Sequence, residues 1–335
     1  MKLLFKRTPF LLISTLVFIF VSSVAKAQDI DFTQPYSNPL LINPAILGAN
    51  GDIKIIFNYK SQFRNIDKGY SNSSFEVVYP LFLKQNNRKL DFGLNFQNNR
   101  AGVFNKQITL MSIGYDIKLQ DSWHMSLSLI GGFSQKSIDF GLTKFDEQFV
   151  NSSNLLNKKI NNQDIGFGVM WYYNPIRTDS LGKINAFIGM SGYHLNTPNE
   201  SFLSGQSILP RKFSYQGGIK IMGKNKFDYS PNLRVNVQGD FEDILPGLYV
   251  DYRFNSLFKI SGGVWLRKNG PNSFLLAIEH KHFSLGYSYD VYLSSSMSNY
   301  SNNVTSNSNQ ISLVYRYGLA NKKGISMNSS PFSSF

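Results

Sequence analysis

Within the stretch from Lys89 to Arg100, KLDFGLNFQNNR, large apolar residues occupy every second position from Leu90 to Phe96. Successive side chains of an extended strand point to opposite faces, so this alternation predicts a β-strand with one apolar and one polar surface. The apolar face carries Leu90, Phe92, Leu94 and Phe96, and the polar face carries Asp91, Gly93, Asn95 and Gln97. The rest of the chain repeats this unit, which predicts an all-β fold.

The pattern predicts about fourteen strands, an even number. Most are close to the ~9–11 residues that a tilted strand needs to cross a bilayer. The predicted strands are Ile53–Phe63, Ser74–Phe82, Leu90–Asn98, Gln107–Leu119, Trp123–Ile138, Asp164–Tyr173, Lys183–Leu195, Lys212–Met222, Asn232–Gly239, Gly247–Phe254, Phe258–Arg267, Ser273–His280, His282–Leu293 and Gln310–Leu319.

The connections between these strands differ in length. Gln120–Ser122 and Lys268–Asn272 are short, whereas Asp139–Gln163 and Leu293–Asn309 are long and polar. Short turns at one end and long loops at the other are typical of a transmembrane antiparallel β-barrel of the outer membrane. A soluble two-sheet sandwich or a propeller is the alternative, because alternation does not say whether lipid or a packed core lies outside the apolar face.

The first 27 residues have the features of a secretory signal peptide. Basic residues precede an apolar run from Phe10 to Val21, and Ala25-Lys26-Ala27 forms a small-x-small cleavage site. The run is shorter than the roughly 20 residues of a membrane-spanning helix. The sequence therefore predicts a signal peptide at 1–27, an irregular leader at 28–50, a barrel at 51–320 and a flexible tail at 321–335.

Composition narrows the functional classes. Cleavage after Ala27 removes four positive charges and lowers the net charge from +13 to +9. The remaining Lys and Arg residues are dispersed and accompany no nucleic-acid-binding motif, so we expect no nucleic-acid partner. The chain has no Cys, which excludes a disulfide framework and thiolate metal sites. Its 15% aromatic content suits the aromatic girdles of a membrane barrel.

Two segments interrupt the strand pattern. Gln28–Ala49 contains three prolines, and because prolines break β-ladders it is predicted to be irregular. It is either a plain tail, or a segment that folds into the lumen or docks a periplasmic partner. Thr197–Pro210, TPNESFLSGQSILP, is predicted to be a loop, and loops commonly carry binding sites.

These segments resemble the PorP/SprF family of type IX secretion system membrane proteins of Bacteroidota. The resemblance rests on motifs that match the family in order and spacing over essentially the whole mature chain. The motifs are Phe32-Thr33-Gln34, Asn38 to Ala45 (NPLLINPA), His194 to Phe202 (HLNTPNESF), Leu209 to Phe213 (LPRKF), Gly262 to Arg267 (GGVWLR) and Leu285 to Asp290 (LGYSYD).

The resemblance implies an outer-membrane β-barrel that is not an enzyme. It implies a scaffold for secretion or surface attachment of a cargo adhesin with a C-terminal targeting domain, related in some bacteria to gliding motility. The expected partners are membrane lipid, other type IX secretion proteins and the cargo. The candidate partner-binding residues are Asn43, Pro44, Pro198, Asn199, Glu200, Phe202, Pro210, Arg211, Tyr287, Tyr289 and Asp290.

No residue pattern predicts catalysis, a cofactor or a metal site. His280 and His282 form the one His cluster, but a hairpin turn is expected between them and no third ligand is placed. Ser256 and Lys259 have an S-x-x-K spacing at a strand start, whereas acylating enzymes need it on a helix. The alternative function is a passive diffusion channel for small solutes, with Asp91, Lys118, Arg234 and Asp251 as predicted lumen charges.

Overall fold

The structure of the chain is a computed structural model. It describes residues 32–49, 51–62, 69–83, 88–120, 122–138, 159–175, 184–202, 205–223, 225–255, 257–267, 270–291 and 307–318. The predicted signal peptide and the predicted tail lie outside these residues.

Fourteen antiparallel strands form one closed barrel, in which each strand pairs with its neighbours in sequence and the first pairs with the last. This confirms the predicted fold class. The strands are β1 (Asp52–Gln62), β2 (Tyr70–Phe82), β3 (Lys89–Ala101), β4 (Phe104–Lys118), β5 (Trp123–Ile138), β6 (Lys159–Tyr173), β7 (Ile184–Tyr193), β8 (Lys212–Met222), β9 (Phe227–Gln238), β10 (Phe241–Arg253), β11 (Phe258–Trp265), β12 (Asn272–His280), β13 (Phe283–Val291) and β14 (Ser308–Gly318).

The alternation in the sequence separates the inside of the barrel from the outside. On β3, Asp91 and Asn95 are fully buried in the interior, whereas Phe92 and Phe96 are exposed on the outer wall. On β5, Ser126 and Ser128 point inwards and Leu129 is 66% exposed. The barrel is therefore polar inside and apolar outside, which is the arrangement that a lipid environment requires.

The two ends of the barrel differ in their connections. We call the end where β1 begins and β14 ends the terminal end, and the opposite end the loop end. The longest connections, residues 139–158, 194–211 and 292–307, all lie at the loop end. The short connection near residues 268–272 lies at the loop end as well, so the prediction that short turns would be confined to the other end was wrong.

Aromatic side chains contact one another on the wall near the terminal end. Trp123 begins β5 and Tyr173 ends β6, and their ring centroids are 5.0 Å apart. Phe283 at the start of β13 and Tyr315 on β14 are also 5.0 Å apart. Such rings are typical of the boundary between a bilayer and water. Among the described residues, no helix has the length and apolar character to cross a membrane.

Residues 32–49 of the leader form short helical turns instead of a strand. The turns are Pro35–Ser37, Pro39–Ile42 and Pro44–Ala49, and each begins at a proline. A proline at the first helical position loses no intrahelical hydrogen bond and already has a helical φ, which explains why the residues that break a ladder start these turns. Nearly every side chain of this segment is buried.

Candidate functional site: a filled lumen and an anchored loop

The start of the leader is bound to the last two strands of the barrel. Thr33 donates from Oγ1 to Asp290 Oδ2 on β13 at 2.8 Å and from its backbone nitrogen to Gln310 Oε1 on β14 at 2.7 Å. The side chain of Gln34 donates to Ser288 Oγ at 3.3 Å and accepts a hydrogen bond from Ser312. Asp290 is further held by Ser273, by Ser308 and by an ion pair of 3.1 Å with Lys60 on β1.

The next residues of the leader contact β1 and β2. Asn58 on β1 donates from Nδ2 to Ser37 O at 2.9 Å and to Asn38 Oδ1 at 3.0 Å. Ser74 on β2 donates to the same Asn38 oxygen at 2.8 Å. Gln310 on β14 donates to Ser37 Oγ at 3.4 Å. The leader thus joins the first and last strands of the barrel from the inside.

The second half of the leader crosses to the opposite wall. Asn43 donates from Nδ2 to the carbonyl oxygens of Val169 on β6 and Met190 on β7, at 3.1 and 3.2 Å. Ser191 donates to Ile42 O at 2.6 Å, and Tyr193 donates to Leu40 O at 2.7 Å. The wall therefore satisfies backbone and side-chain groups of the leader that water would otherwise have to solvate.

Apolar packing accompanies these hydrogen bonds. Tyr36 lies among the rings of Phe187, Tyr249 and Trp265, with centroid distances of 6.5, 5.9 and 6.4 Å. Its hydroxyl donates to Asn232 Oδ1 at 2.6 Å. A second buried cluster joins Leu40 and Leu47 of the leader to Val78, Leu110, Ile130 and Tyr193 of the wall. The leader fills the middle of the lumen.

Ion pairs line the lumen towards the terminal end. Asp251 lies 3.3 Å from Lys220 and 3.8 Å from Lys259, and Glu279 lies 3.5 Å from Lys259 and 2.7 Å from Arg316. The predicted lumen positions of Asp91, Arg234 and Asp251 are confirmed, since all three are buried inside the barrel. Lys118 shares the inward face of β4 with the buried Asp116.

The connection between β7 and β8 is anchored to β4 and β5 at the loop end. Glu200 forms ion pairs with Lys106 at 2.6 Å and Lys136 at 3.2 Å. Phe202 packs on Phe104 with 6.3 Å between centroids, and Lys136 lies over its ring. Burial raises the pKa of the Glu200 carboxyl, but Lys106 and Lys136 outweigh it and hold this pKa below its usual value.

The same connection forms a hairpin, residues 198–209, next to these ion pairs. Glu200 donates its backbone N–H to Ser207 O at 2.8 Å, and Leu209 donates to Pro198 O at 2.9 Å. Asn199 Oδ1 accepts from the backbone nitrogens of Ser201 and Ser207 at 3.1 and 2.9 Å. The Thr197–Pro210 segment, predicted as a loop, is therefore an ordered hairpin over its described residues.

The structure places the candidate partner-binding residues in three separate regions. Asn43 and Pro44 are buried in the leader. The loop-end connection holds Pro198, Asn199, Glu200, Phe202, Pro210 and Arg211. On β13, Tyr287 faces outwards and is 46% exposed, Tyr289 shares its face, and Asp290 faces the lumen. These residues do not form one continuous surface, and their role in binding stays a prediction.

The residues considered for chemistry are not assembled for it. β12 ends at His280 and His282 lies in the hairpin turn of residues 281–282, as expected. Ser256 lies outside the described residues. Within the described part of the chain, no three His, Asp or Glu side chains are grouped so that they could hold a metal ion.

The sequence analysis missed the contacts of Tyr36, Gln34 and Asn38 in the lumen. One signal was available, because residues 32–49 contain no charged residue although 16% of the whole chain is charged. A segment without charges can be buried at a much lower desolvation cost than a charged one. The partners of these side chains lie up to 278 positions away in sequence, so spacing could not identify them.

A closed barrel with an apolar outer wall, a polar inner wall and a segment packed in its lumen defines a membrane β-barrel of the outer-membrane type. The model of a family described as type IX secretion system membrane protein PorP/SprF matches residues 24–315. The chain belongs to this family.

Solved structures with a similar fold are outer-membrane barrels. The toluene transporter TbuX of Ralstonia pickettii has a TM-score of 0.53 and 11% identity over 84% of this chain and 93% of its own. The toluene transporter TodX of Pseudomonas putida has a TM-score of 0.51 and 8% identity over 83% of this chain and 92% of its own. At these identities the similarity concerns the fold alone. No curated protein matches the sequence.

Proposed function

We propose that the protein is a non-enzymatic scaffold of the type IX secretion system in the outer membrane, where it holds other secretion proteins and a cargo adhesin with a C-terminal targeting domain. The observation that carries the proposal is the leader, which fills the middle of the lumen through hydrogen bonds to strands on both sides of the barrel. Because this segment lies across the lumen, we infer that the barrel acts mainly through its surfaces. In gliding bacteria, the cargo would be a motility adhesin.

The hairpin of residues 198–209 is the proposed contact site for a partner. Its anchor, the ion pairs of Glu200 with Lys106 and Lys136, fixes its position on the barrel. The side chain of Ile208 at its far side is 52% exposed. A rigid, partly apolar projection loses little conformational entropy on binding, which favours partner recognition.

The test is crosslinking and pull-down of a tagged chain from its native outer membrane. A deletion of Pro198–Phe202 is compared with a control deletion of residues 299–303, which removes the same number of residues from another loop-end connection. We expect type IX secretion proteins or one large adhesin to be recovered with the unaltered chain and with the control, and to be lost with the first deletion. Recovery of the correctly folded barrel alone in every case would contradict the scaffold proposal.

A passive channel for small solutes is the second candidate. Its support is the polar and charged inner wall, together with the description of the two solved barrels as toluene transporters. Conductance in planar bilayers separates the two candidates. Large, steady and ion-selective openings of the unaltered protein would favour the channel, whereas their absence, with openings appearing once the leader is weakened, would favour the scaffold.

A further inference from the structure

Lys54 is a buried cation without an acidic partner. It is the third residue of β1, faces the lumen near the terminal end and is 8% exposed. Within the described part of the chain, its ammonium group forms neither an ion pair nor a hydrogen bond. Lys60, further along the same face of β1, forms an ion pair of 3.1 Å with Asp290. Because a buried charge without a partner is costly, Lys54 needs an explanation.

Arg316 lies directly opposite Lys54. The antiparallel register of β1 and β14 pairs the two residues, and both belong to the inward-facing rows of their strands. Residues in this relation have Cβ atoms about 4.5–5.5 Å apart, and like charges there destabilise a sheet. Glu279 holds Arg316 at 2.7 Å. The two neighbouring cations therefore have one acid in contact, and Lys54 is left without one.

Cations outnumber acids along this part of the inner wall. An unbroken series of ion pairs runs through Lys220, Asp251, Lys259, Glu279 and Arg316. With Lys54 beside its last member, the series has four cations and two carboxylates. The adjoining connections at the terminal end, residues 223–226, 254–257 and 281–282, contain three Lys and no Asp or Glu in their sequences. They supply no counter-charge.

Two further acids lie on the inward faces of β1 and β2, but neither forms an ion pair with Lys54. Glu76 is fully buried, and its carboxylate accepts from the backbone nitrogen of Leu40 at 3.4 Å and from Asn95 Nδ2 at 2.9 Å. It therefore binds the leader and β3. Asp52 is the first residue of β1, at the rim of the barrel.

We propose that Lys54 and Arg316 form a binding site for a phosphate group at the terminal end of the lumen. One phosphate oxygen accepts from the ammonium group of Lys54 and another from the guanidinium group of Arg316, whose fork of donors suits phosphate geometry. The excess of two positive charges in the series matches the charge of about −1.5 to −2 on a phosphate group at pH 7. The side chains of Arg316 and Glu279 are 14% and 23% exposed, so the site can be reached from water.

The phosphate group belongs either to free inorganic phosphate or to a phospholipid head group. The experiment is urea unfolding of the folded chain in detergent micelles, in chloride buffer and with inorganic phosphate or glycerol phosphate at equal ionic strength. Lys54→Met removes the charge and keeps an unbranched side chain, and Lys54→Arg keeps the charge. Lys60→Met is the matched control, because it removes an inward lysine of the same strand that has its own acid.

In chloride buffer, we expect Lys54→Met to unfold at the same urea midpoint as the unaltered chain or at a higher one, because it removes an unpaired buried charge. Lys60→Met should unfold at a lower midpoint, because it breaks an ion pair. Phosphate should raise the midpoint of the unaltered chain, of Lys54→Arg and of Lys60→Met, since a ligand of the folded state stabilises it. In Lys54→Met only the general stabilising effect of phosphate salts should remain.

An equal phosphate shift in Lys54→Met and in the unaltered chain would overturn the proposal. Failure of Lys54→Met to fold, or a lower midpoint in chloride buffer, would also overturn it, because the lysine would then have a structural role. If the part of the shift that depends on Lys54 is larger with glycerol phosphate, the site takes a phospholipid head group. If it is equal or larger with inorganic phosphate, the site takes the free ion.

Discussion

Asn43 of the leader lies directly against Gly168 of β6, so closely that a methyl group at residue 168 would overlap Asn43 Oδ1 and would lie 2.8 Å from the backbone nitrogen of Ala45. The side chain of Asn43 also joins β6 to β7 by donating to the carbonyls of Val169 and Met190. The leader can therefore lie this close to the wall only because residue 168 is a glycine.

Gly168→Ala is expected to destabilise the folded protein by about 1–3 kcal/mol, the usual cost of overpacking a tight interior. The measurement is the midpoint of urea unfolding in detergent micelles. Gly114→Ala is the matched control, because a Cβ at this inward position of β4 meets its neighbours at ordinary distances of 3.5 Å or more. Equal midpoints for the two variants would show that the leader is not held against β6.

Tyr36→Ala is expected to cost about 3–5 kcal/mol, since it empties the space among Phe187, Tyr249 and Trp265. Tyr36→Phe keeps the ring and loses the hydrogen bond to Asn232, so about 1 kcal/mol is expected. Both values come from unfolding midpoints in the same micelles. A loss as large for the phenylalanine variant as for the alanine variant would mean that the hydroxyl, and not the ring, anchors the leader.

The sequence predicted the barrel well because each strand carries its own signal. Two strands, Trp123–Ile138 and Lys212–Met222, have the predicted bounds, and all fourteen predicted strands correspond to observed ones. The alternation is a local consequence of lipid outside and polar groups inside. The alternation can be recognised in each strand separately, without knowing which strands pair with it.

The ends of the strands were predicted less accurately than the strands themselves, for two physical reasons. β6 begins at Lys159 instead of Asp164, because residues 159–163 are mostly polar on both faces and show no alternation. The predicted starts of β9 and β10 came directly after Pro231 and Pro246, because prolines were expected to end a strand. Both prolines instead lie inside their strands, exposed on the outer wall, so β9 and β10 begin earlier than predicted. The leader's place in the lumen depends on contacts between distant residues, which no local pattern contains.

The anchor of the hairpin is expected to release in acid. The pKa of Glu200 is lower in the folded protein than in the unfolded chain, so the ion pairs with Lys106 and Lys136 contribute full stability above the ordinary carboxyl pKa. This contribution is lost as the pH falls through the lowered value. A spin label on Ser207→Cys should therefore become more mobile only at pH values below the ordinary pKa of a glutamate carboxyl.

Glu200→Gln provides the control for this pH dependence. The amide cannot titrate, so the label in the Glu200→Gln, Ser207→Cys variant should have the same mobility at neutral and acidic pH. A mobility change of equal size in the control would assign the effect to another group.

A charge on the outer wall should be costly at mid-strand and tolerated near the loop end. Leu129 lies in the middle of β5 and is 66% exposed, so Leu129→Lys is expected to cost about 2–4 kcal/mol in a bilayer. Gln135 shares the outer face of β5 and hydrogen-bonds Asn161 at 3.0 Å. Gln135→Lys should cost about 0–1 kcal/mol.

The measurement is unfolding of the barrel from lipid vesicles. Equal and small costs at both positions would show that the outer wall near Leu129 does not face lipid, which would contradict the membrane location itself.

The hydrogen bonds of Gln34 with Gln310 join residues that are 276 positions apart, near the two ends of the chain. During synthesis the leader emerges first and its binding strand emerges last, so the leader cannot be fully bound until the whole barrel sequence has been made. Contacts of such high sequence separation form slowly. A chain that lacks β14 would therefore leave the start of the leader without its Gln310 and Ser312 partners, so completion of the last strand is what closes the barrel around its own first segment.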